Sequence, residues 1–439
     1  MGYVWSRYNV ITNYKDYIAV HNLVSHKGNL LPKEKAYLLL DSSEKDLEES
    51  IKKQLIENGI LVPKDVCEID TIREMRNKLI ENRRRRLSVT IIPTYQCNFK
   101  CIYCWEDTKH RDDCMTEETQ EELLKYLERK MPDCSALDID WFGGEPLLGY
   151  KVMHRLLDEI DILCRKYKIP YSSTLTTNGF GLTPEIATYL VEHHNYFFQI
   201  TLDGPKELHD FNRPLKSGAG TYEVILENLR KIRDCVDSHH LRVVIRINVT
   251  NDSAGQVEKL LPLIGSEFGG DQRFRVYIQA VERHNDKRYD VMRGRYLKEN
   301  SIIEKLYDNC IELGILTTPL KMLKPGDLMC KTVYKNSVFV SSDGYIYKCD
   351  MNMTPNDVSC IGKVPHYKDE EECWEKQWNE HIKESDYCTE CLLFPLCFGM
   401  KCPFYTDINV RNQCEYFNDY SIVKSAVKSY AQQGKYAVL

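Results

Sequence analysis

The sequence lacks any apolar run close to the roughly 18 residues that a membrane-spanning helix needs, so no membrane partner is expected. Its opening residues hold no signal-peptide apolar stretch, which points to a reducing, cytoplasmic setting. A basic excess is also missing. Lys+Arg is 59 against Asp+Glu 65, a net charge of −6, and that argues against a general nucleic-acid binder. No low-complexity tract interrupts the chain, and 43% of residues are apolar, so global disorder is excluded. At 439 residues the chain is too long for one small module; roughly 100–200 residues per domain gives two to four units.

Cysteine is what stands out. The 18 cysteines fall well short of the roughly 8–10% of a disulfide scaffold. In a reducing compartment grouped cysteines bind metal or do chemistry, and these are grouped in two places.

Four regions are expected. Residues 1–87 read as a small unit: a strand near Tyr14–His21, helices over 33–40 and 44–58, a short strand at Ile60–Pro63 and a charged helix over 70–82 that leads into Arg83–Arg86. Residues 88–280 repeat strand then helix. Strands are expected at Ser88–Pro93, Leu137–Phe142, Tyr171–Thr176, Tyr196–Leu202, Val243–Val249 and Phe274–Gln279. Helices are expected at about 116–130, 151–167, 183–193, 221–236 and 254–264. That rhythm predicts an α/β fold, a partial (β/α)6 barrel with chemistry at the C-terminal strand ends. Residues 281–329 form a polar bridge with a helix near 300–313, and 330–439 are cysteine-dense and poor in regular structure.

The first cysteine group ends the first barrel strand: Cys97, Cys101 and Cys104 follow C-x3-C-x2-C, with Tyr103 just before the last. Three thiolates on one loop hold three corners of a [4Fe–4S] cube and leave one iron open. A structural zinc site wants four ligands, and Cys114 is the only local candidate for a fourth. The spacing resembles the signature of the radical S-adenosylmethionine (SAM) superfamily. That resemblance implies SAM chelated at the open iron and cleaved to a 5′-deoxyadenosyl radical, which abstracts a hydrogen atom. Gly143-Gly144-Glu145 after the second strand is similar to the family's GGE motif, in which the glycines admit SAM and Glu145 receives its amino group. Thr177 and Asn178 resemble the ribose-contacting stretch. Asp203 and Arg213, with His209 and Asp210 between them, match a segment of this subgroup, and Asn248 and Ile278 fall at cofactor-facing strand ends.

The second group is Cys330, Cys349 five residues after Gly344, then Cys388, Cys391, Cys397, Cys402 and Cys414. It resembles the SPASM extension, which carries two auxiliary [4Fe–4S] clusters. It departs from that pattern between Cys397 and Cys402, where four residues intervene instead of three. By resemblance, Cys330, Cys349 and Cys402 serve the first auxiliary cluster and Cys388, Cys391, Cys397 and Cys414 the second. The first is one ligand short; Cys310, Cys360, Cys373, a substrate donor or an open site are the alternatives. In the related anaerobic sulfatase maturases an Asp at the place of Asp350 is the proposed base.

Residues 1–87 are similar in order to the winged-helix unit by which SPASM peptide maturases bind a leader through strand addition. The resemblance implies a cytoplasmic maturase that installs a thioether or carbon–carbon crosslink in a ribosomally made precursor peptide, fed by an external flavodoxin- or ferredoxin-type electron donor. An anaerobic sulfatase maturase forming formylglycine is the alternative. A zinc-stabilised winged-helix nucleic-acid binder is the alternative of another class.

Overall fold

The computed structural model describes residues 2–35, 47–104, 113–281, 295, 297, 301–318, 323–350, 353, 359–367, 384, 386–400 and 420–439. At the start of the chain β1 (Tyr3–Trp5), β2 (Asn9–Tyr14), β3 (Tyr17–Asn22), β4 (Lys27–Pro32) and β5 (Leu61–Pro63) flank the helices Glu49–Glu57 and Glu68–Arg83. β2, β3 and β4 form an antiparallel meander, and β1 pairs with β5. The expected strand over Tyr14–His21 is thus the middle of three. The helix expected over 33–40 is one short turn, Lys33–Lys35; residues 36–46 lie outside the described set.

Six strands then alternate with helices: β6 (Arg86–Ile91), β7 (Ala136–Trp141), β8 (Tyr171–Thr177), β9 (Asn195–Thr201), β10 (Arg242–Val249) and β11 (Phe274–Ala280). They lie parallel, each beside its sequence neighbour. Leu87, Val89, Ile91, Leu137, Ile139, Phe198, Ile200, Ile245 and Ile247 point outward into one apolar core under the helices. Amphipathic helices supply the other side of that core: Leu156, Leu157 and Ile160 from Tyr150–Tyr167, and Ile225, Leu229 and Ile232 from Tyr222–Cys235. Thr116 and Thr183 cap two of the helices by accepting from the amides of Thr119 and Ile186. The helix expected over 254–264 is broken into Ala254–Val257 and Leu261–Phe268, because Pro262 cannot continue a helix but begins one well.

Parallel strands covered on both faces are normally apolar throughout. Here the inner face carries Thr90, Asp138, Asp140, Thr174, Gln199 and Arg246, so the barrel centre is polar rather than a filled core. Arg86 pairs with Asp138 at 2.6 Å. Lys331 reaches in to Asp140 Oδ2 at 3.0 Å and Thr90 Oγ1 at 2.8 Å, while Thr174 donates to Asp140 Oδ1 at 2.8 Å.

The barrel sheet does not end at β6. β12 (Ser337–Val340) joins β6 in parallel, with Val338 beside Val89 and Val340 beside Ile91. β13 (Tyr345–Tyr347), β14 (Cys360–Lys363) and β15 (His366–Tyr367) continue it in antiparallel fashion to ten strands. Finally the helix Ser421–Gln432 packs its Val423, Ala426 and Val427 against Val10 and Ala19 of the first meander. Its Lys428 binds Asp308 at 2.7 Å and Glu304 at 3.1 Å on the helix Ser301–Glu312. β16 (Ala437–Val438) then pairs in parallel with β4.

Candidate active site at the barrel mouth

The loop after β6 is pinned on three sides. Lys100 N donates to Pro214 O at 2.9 Å, Ile102 N to Asn212 O at 3.0 Å, and Glu145 N to Gln96 O at 2.7 Å. Gly144 is required for that packing: a Cβ there would lie 2.3 Å from Tyr95 O and 2.4 Å from Gln96 O. The glycine expected to admit a cofactor therefore first admits the cysteine loop's own backbone. Gly143 holds a φ of +129°, which disfavours side chains.

The loop delivers Cys97, Cys101 and Cys104 to one cavity of about 370 Å3, which Tyr103, Gly143, Gly144, Glu145, Thr177, Asn178, Arg213, Asn248 and Asp350 also line. Burial pushes the Cys97 thiol up to about 11. It pushes Cys101 up to about 12, with Arg213 pulling the other way. Among the described residues no three Cys, His, Asp or Glu groups are placed to share a single metal ion; the three thiols surround a cavity instead.

Two buried networks frame them. Glu145 accepts from Thr177 Oγ1 at 2.6 Å, Asn178 N at 2.7 Å and Leu147 N at 3.0 Å. Burial still raises its pKa above the usual carboxylate value, against those three bonds. In the second network Tyr103 donates its hydroxyl to Asp203, and receives Arg213 Nη1 at 3.0 Å and Asn248 Nδ2 at 3.1 Å. Asn248 N also donates to Asp203 Oδ1 at 2.9 Å. His209 stands behind this group. It accepts from Asp203 N at 3.2 Å and meets Thr221 Oγ1 at 3.1 Å, and Thr221 donates to Arg213 O at 2.8 Å. Burial lowers the His209 pKa well below normal, so the ring is a neutral strut.

Ile278 is the predicted site residue that the structure places elsewhere. Its side chain is 1% exposed within the core under the helices, and its backbone exchanges hydrogen bonds with Tyr307. Phe142, Gln199, Thr201 and Arg246 line the cavity without having been singled out. The signal for them was the alternation in β9 and β10, where Gln199 with Thr201 and Arg246 with Asn248 share the inner face.

Of the second cysteine group, Cys330 is exposed, Cys349 buried, and Cys388, Cys391 and Cys397 half-buried. The last three sit on or beside the short helices Asp386–Glu390 and Phe394–Cys397. Cys310 is enclosed in the barrel's apolar core, and Cys360 lies on β14 opposite Tyr347. Cys373, Cys402 and Cys414 lie outside the described residues.

The model of the radical SAM superfamily matches residues 91–261, the span that holds the three-cysteine loop and the four strands after it, β7 to β10. The chain carries a radical SAM domain. It is 25% identical over 345 residues to the cysteine-type anaerobic sulfatase-maturating enzyme of Clostridium perfringens, covering 71% of this chain and 88% of that one. Its fold is similar to native anSMEcpe with bound AdoMet and the Kp18Cys peptide, at TM-score 0.57 and 19% identity over 80% of this chain and 97% of that one. It is also similar in fold to Streptococcus suis SuiB bound to precursor peptide SuiA, at TM-score 0.50 and 16% identity over 94% and 100% of the two chains.

A radical SAM enzyme implies a [4Fe–4S] cluster and SAM, and the residues present fit both. Three thiols converge on one cavity, the donor set that leaves one iron open. Beside them Arg213 Nε is buried without an acceptor, a place that a ligand carboxylate satisfies.

Proposed function

We propose that this radical SAM enzyme is a peptide maturase that crosslinks a ribosomally made precursor through a thioether or carbon–carbon bond. The observation that carries this reading is the arrival of Asp350, by way of the β12–β13 extension of the barrel sheet, in the cavity that the three cysteines line. A proton acceptor beside a hydrogen-abstracting centre suits a two-electron oxidation of a peptide side chain. Formylglycine formation is the second reading, favoured by the likeness to the sulfatase-maturating enzyme.

When bound, the cluster and SAM supply a 5′-deoxyadenosyl radical that abstracts one hydrogen atom from substrate. The protein's part is placement. Cys97, Cys101 and Cys104 would hold the cluster, Glu145 and Arg213 would take the amino and carboxylate groups of SAM, and Thr177, Asn178, Asn248 and Tyr103 would steady the nucleoside. Asp350 takes the proton that leaves the substrate. Cysteines of residues 330–439 would supply thiolates for two auxiliary [4Fe–4S] clusters, whose chemistry would be electron acceptance. Residues 1–87 act as a winged-helix-like unit that recognises the leader by strand addition, and a flavodoxin or ferredoxin supplies the priming electron. The setting is the cytoplasm; among the described residues no helix is long and apolar enough to cross a membrane.

The test is the triple Cys97→Ala, Cys101→Ala, Cys104→Ala variant, purified and reconstituted without oxygen. It should lose reductive SAM cleavage and keep iron and sulfide at the auxiliary sites. Continued 5′-deoxyadenosine formation would overturn the assignment, and a zinc-loaded, colourless wild type would return the chain to the zinc class.

A further inference from the structure

The meander's third strand does not offer a bare edge. β4 is paired in parallel with β16, Ala437 beside Asn29 and Val438 beside Leu30, and Leu439 N donates to Leu30 O at 2.9 Å. That ladder is only two register pairs long, and both Ala437 and Val438 are exposed. The anchor of the segment is one residue earlier. Tyr436 is 7% exposed, and its hydroxyl meets His21 Nδ1 at 3.0 Å. Gly28 makes room for it, since a Cβ there would lie 2.8 Å from the Tyr436 ring. Beyond that ladder, residues 437–439 are held by Leu439, half-buried against the cluster of Val20, Leu31 and Ile51, so they can leave β4 with Tyr436 in place once an incoming apolar side chain takes the place of Leu439.

Beside this edge opens a cavity of about 430 Å3 whose lining includes Lys27, Lys324, Lys435, Asn58 and Tyr430. Among the described residues no carboxylate lies in ion-pair reach of the three lysines. Lys27 Nζ donates to Glu57 O at 3.2 Å, and Lys435 Nζ lies 4.0 Å over the Tyr430 ring. Asp327, which accepts from Lys324 N at 3.0 Å, is the carboxylate nearby; three ammonium groups against one carboxylate leave a notch that is complementary to acid. A strand lying along β4 in place of β16 carries its side chains past this notch.

We propose that the edge of β4 docks an extended, acidic peptide segment by exchange: the peptide displaces residues 437–439 and sets a carboxylate among Lys27, Lys324 and Lys435. This rests on the peptide-recognition role proposed above. It adds that the site is held by the chain's own strand, so that binding is a competition, and that acidity at one end of the peptide strand is what is selected.

The test uses the cluster-loaded full chain and two fluorescein-labelled synthetic decapeptides, one alternating Val with Glu and one alternating Val with Lys. The acidic peptide should bind saturably and the basic one should not compete. Removing residues 437–439 should tighten binding about tenfold, as should Leu439→Pro, which deletes the amide that donates to Leu30 and leaves the chain length intact. The pair Lys324→Glu and Lys435→Glu should weaken binding about tenfold or more. In hydrogen exchange, bound peptide should strip protection from 437–439 and leave 27–32 protected. No binding, equal binding of both peptides, unchanged affinity in the Leu439→Pro and truncated chains, or retained protection at 437–439 would each overturn the exchange. Reductive SAM cleavage is read separately in the same samples, so failure of the maturase reading shows there and not in peptide affinity.

Discussion

Glu145 faces donors only: a hydroxyl and two backbone amides, each within 3.0 Å. Glu145→Gln keeps the shape but turns one acceptor into an NH2 group that opposes a donor. Urea unfolding should show a loss of about 1–3 kcal/mol, the cost of a buried donor left unpaired. If the carboxylate also holds the SAM amino group, SAM affinity by calorimetry should fall at least roughly tenfold, the equivalent of about 1.4 kcal/mol. Asp350 lines the cavity, and its proposed worth is chemical rather than structural. Asp350→Asn should still form 5′-deoxyadenosine while crosslinked product falls by at least roughly 100-fold, the lower end of a general base's contribution. Deuterium washed from labelled peptide into 5′-deoxyadenosine would show that abstraction continues without completion. A wild-type yield would reduce Asp350 to a turn residue.

At the scale of elements, strand β12 and the turn before it connect the second cysteine group to the barrel. Lys331, next to Cys330, enters the barrel centre and pairs with Asp140, and lies 4.6 Å over the Phe339 ring. Both partners keep more than a third of their side-chain surface exposed, so Lys331→Met should cost only about 1 kcal/mol in urea unfolding, with Lys331→Arg recovering most of it. A larger loss would mean that the strut is what holds β12 in register. None of this was legible in the sequence, because a pairing of 337–340 with 88–91 is not encoded in either segment alone. What was legible was local. All six barrel strands start and stop within two residues of their expected places, since alternating β-branched runs closed by turn residues mark strands. The cysteine loop, the Gly143-Gly144-Glu145 turn and Asn178 fell at the strand ends and converge on one cavity for the same reason. Facing direction was harder. A one-residue change of register flips a side chain across the sheet; Ile278 points into the core, while Tyr277 and Gln279 on either side of it take the inner face of β11.

Across the whole molecule, the first meander, the segment around Leu323 and the last helix meet at His21. Its ring is fully buried, with Nδ1 at 3.0 Å from Tyr436 OH, Nε2 at 3.5 Å from Leu323 O, and His26 and Tyr430 edge-on at 5.4 and 6.0 Å. Burial, helped by the neighbouring His26, lowers its pKa to about 3. In the unfolded chain a histidine titrates near 6.5. Between these values the unfolded state binds a proton that the folded state refuses, so stability is complete above about pH 6.5 and drains away as pH falls toward 3. From pH 8 to pH 6 the loss should be about 1 kcal/mol, with His26, also lowered by burial, acting in the same sense. Lys324 and Lys435, near His26, oppose protonation and Asp327 favours it, so the balance of charge there leaves the sign unchanged. Urea midpoints of wild type and His21→Asn at the two pH values separate this from general acid sensitivity. The variant should be less stable at pH 8 by about 1–3 kcal/mol, because Tyr436 loses its partner, yet its stability should change less between pH 8 and pH 6. Parallel pH slopes in the two proteins would mean that the ring takes up its proton in the folded state, and that the junction between the first sheet and the last helix opens to water before the molecule unfolds.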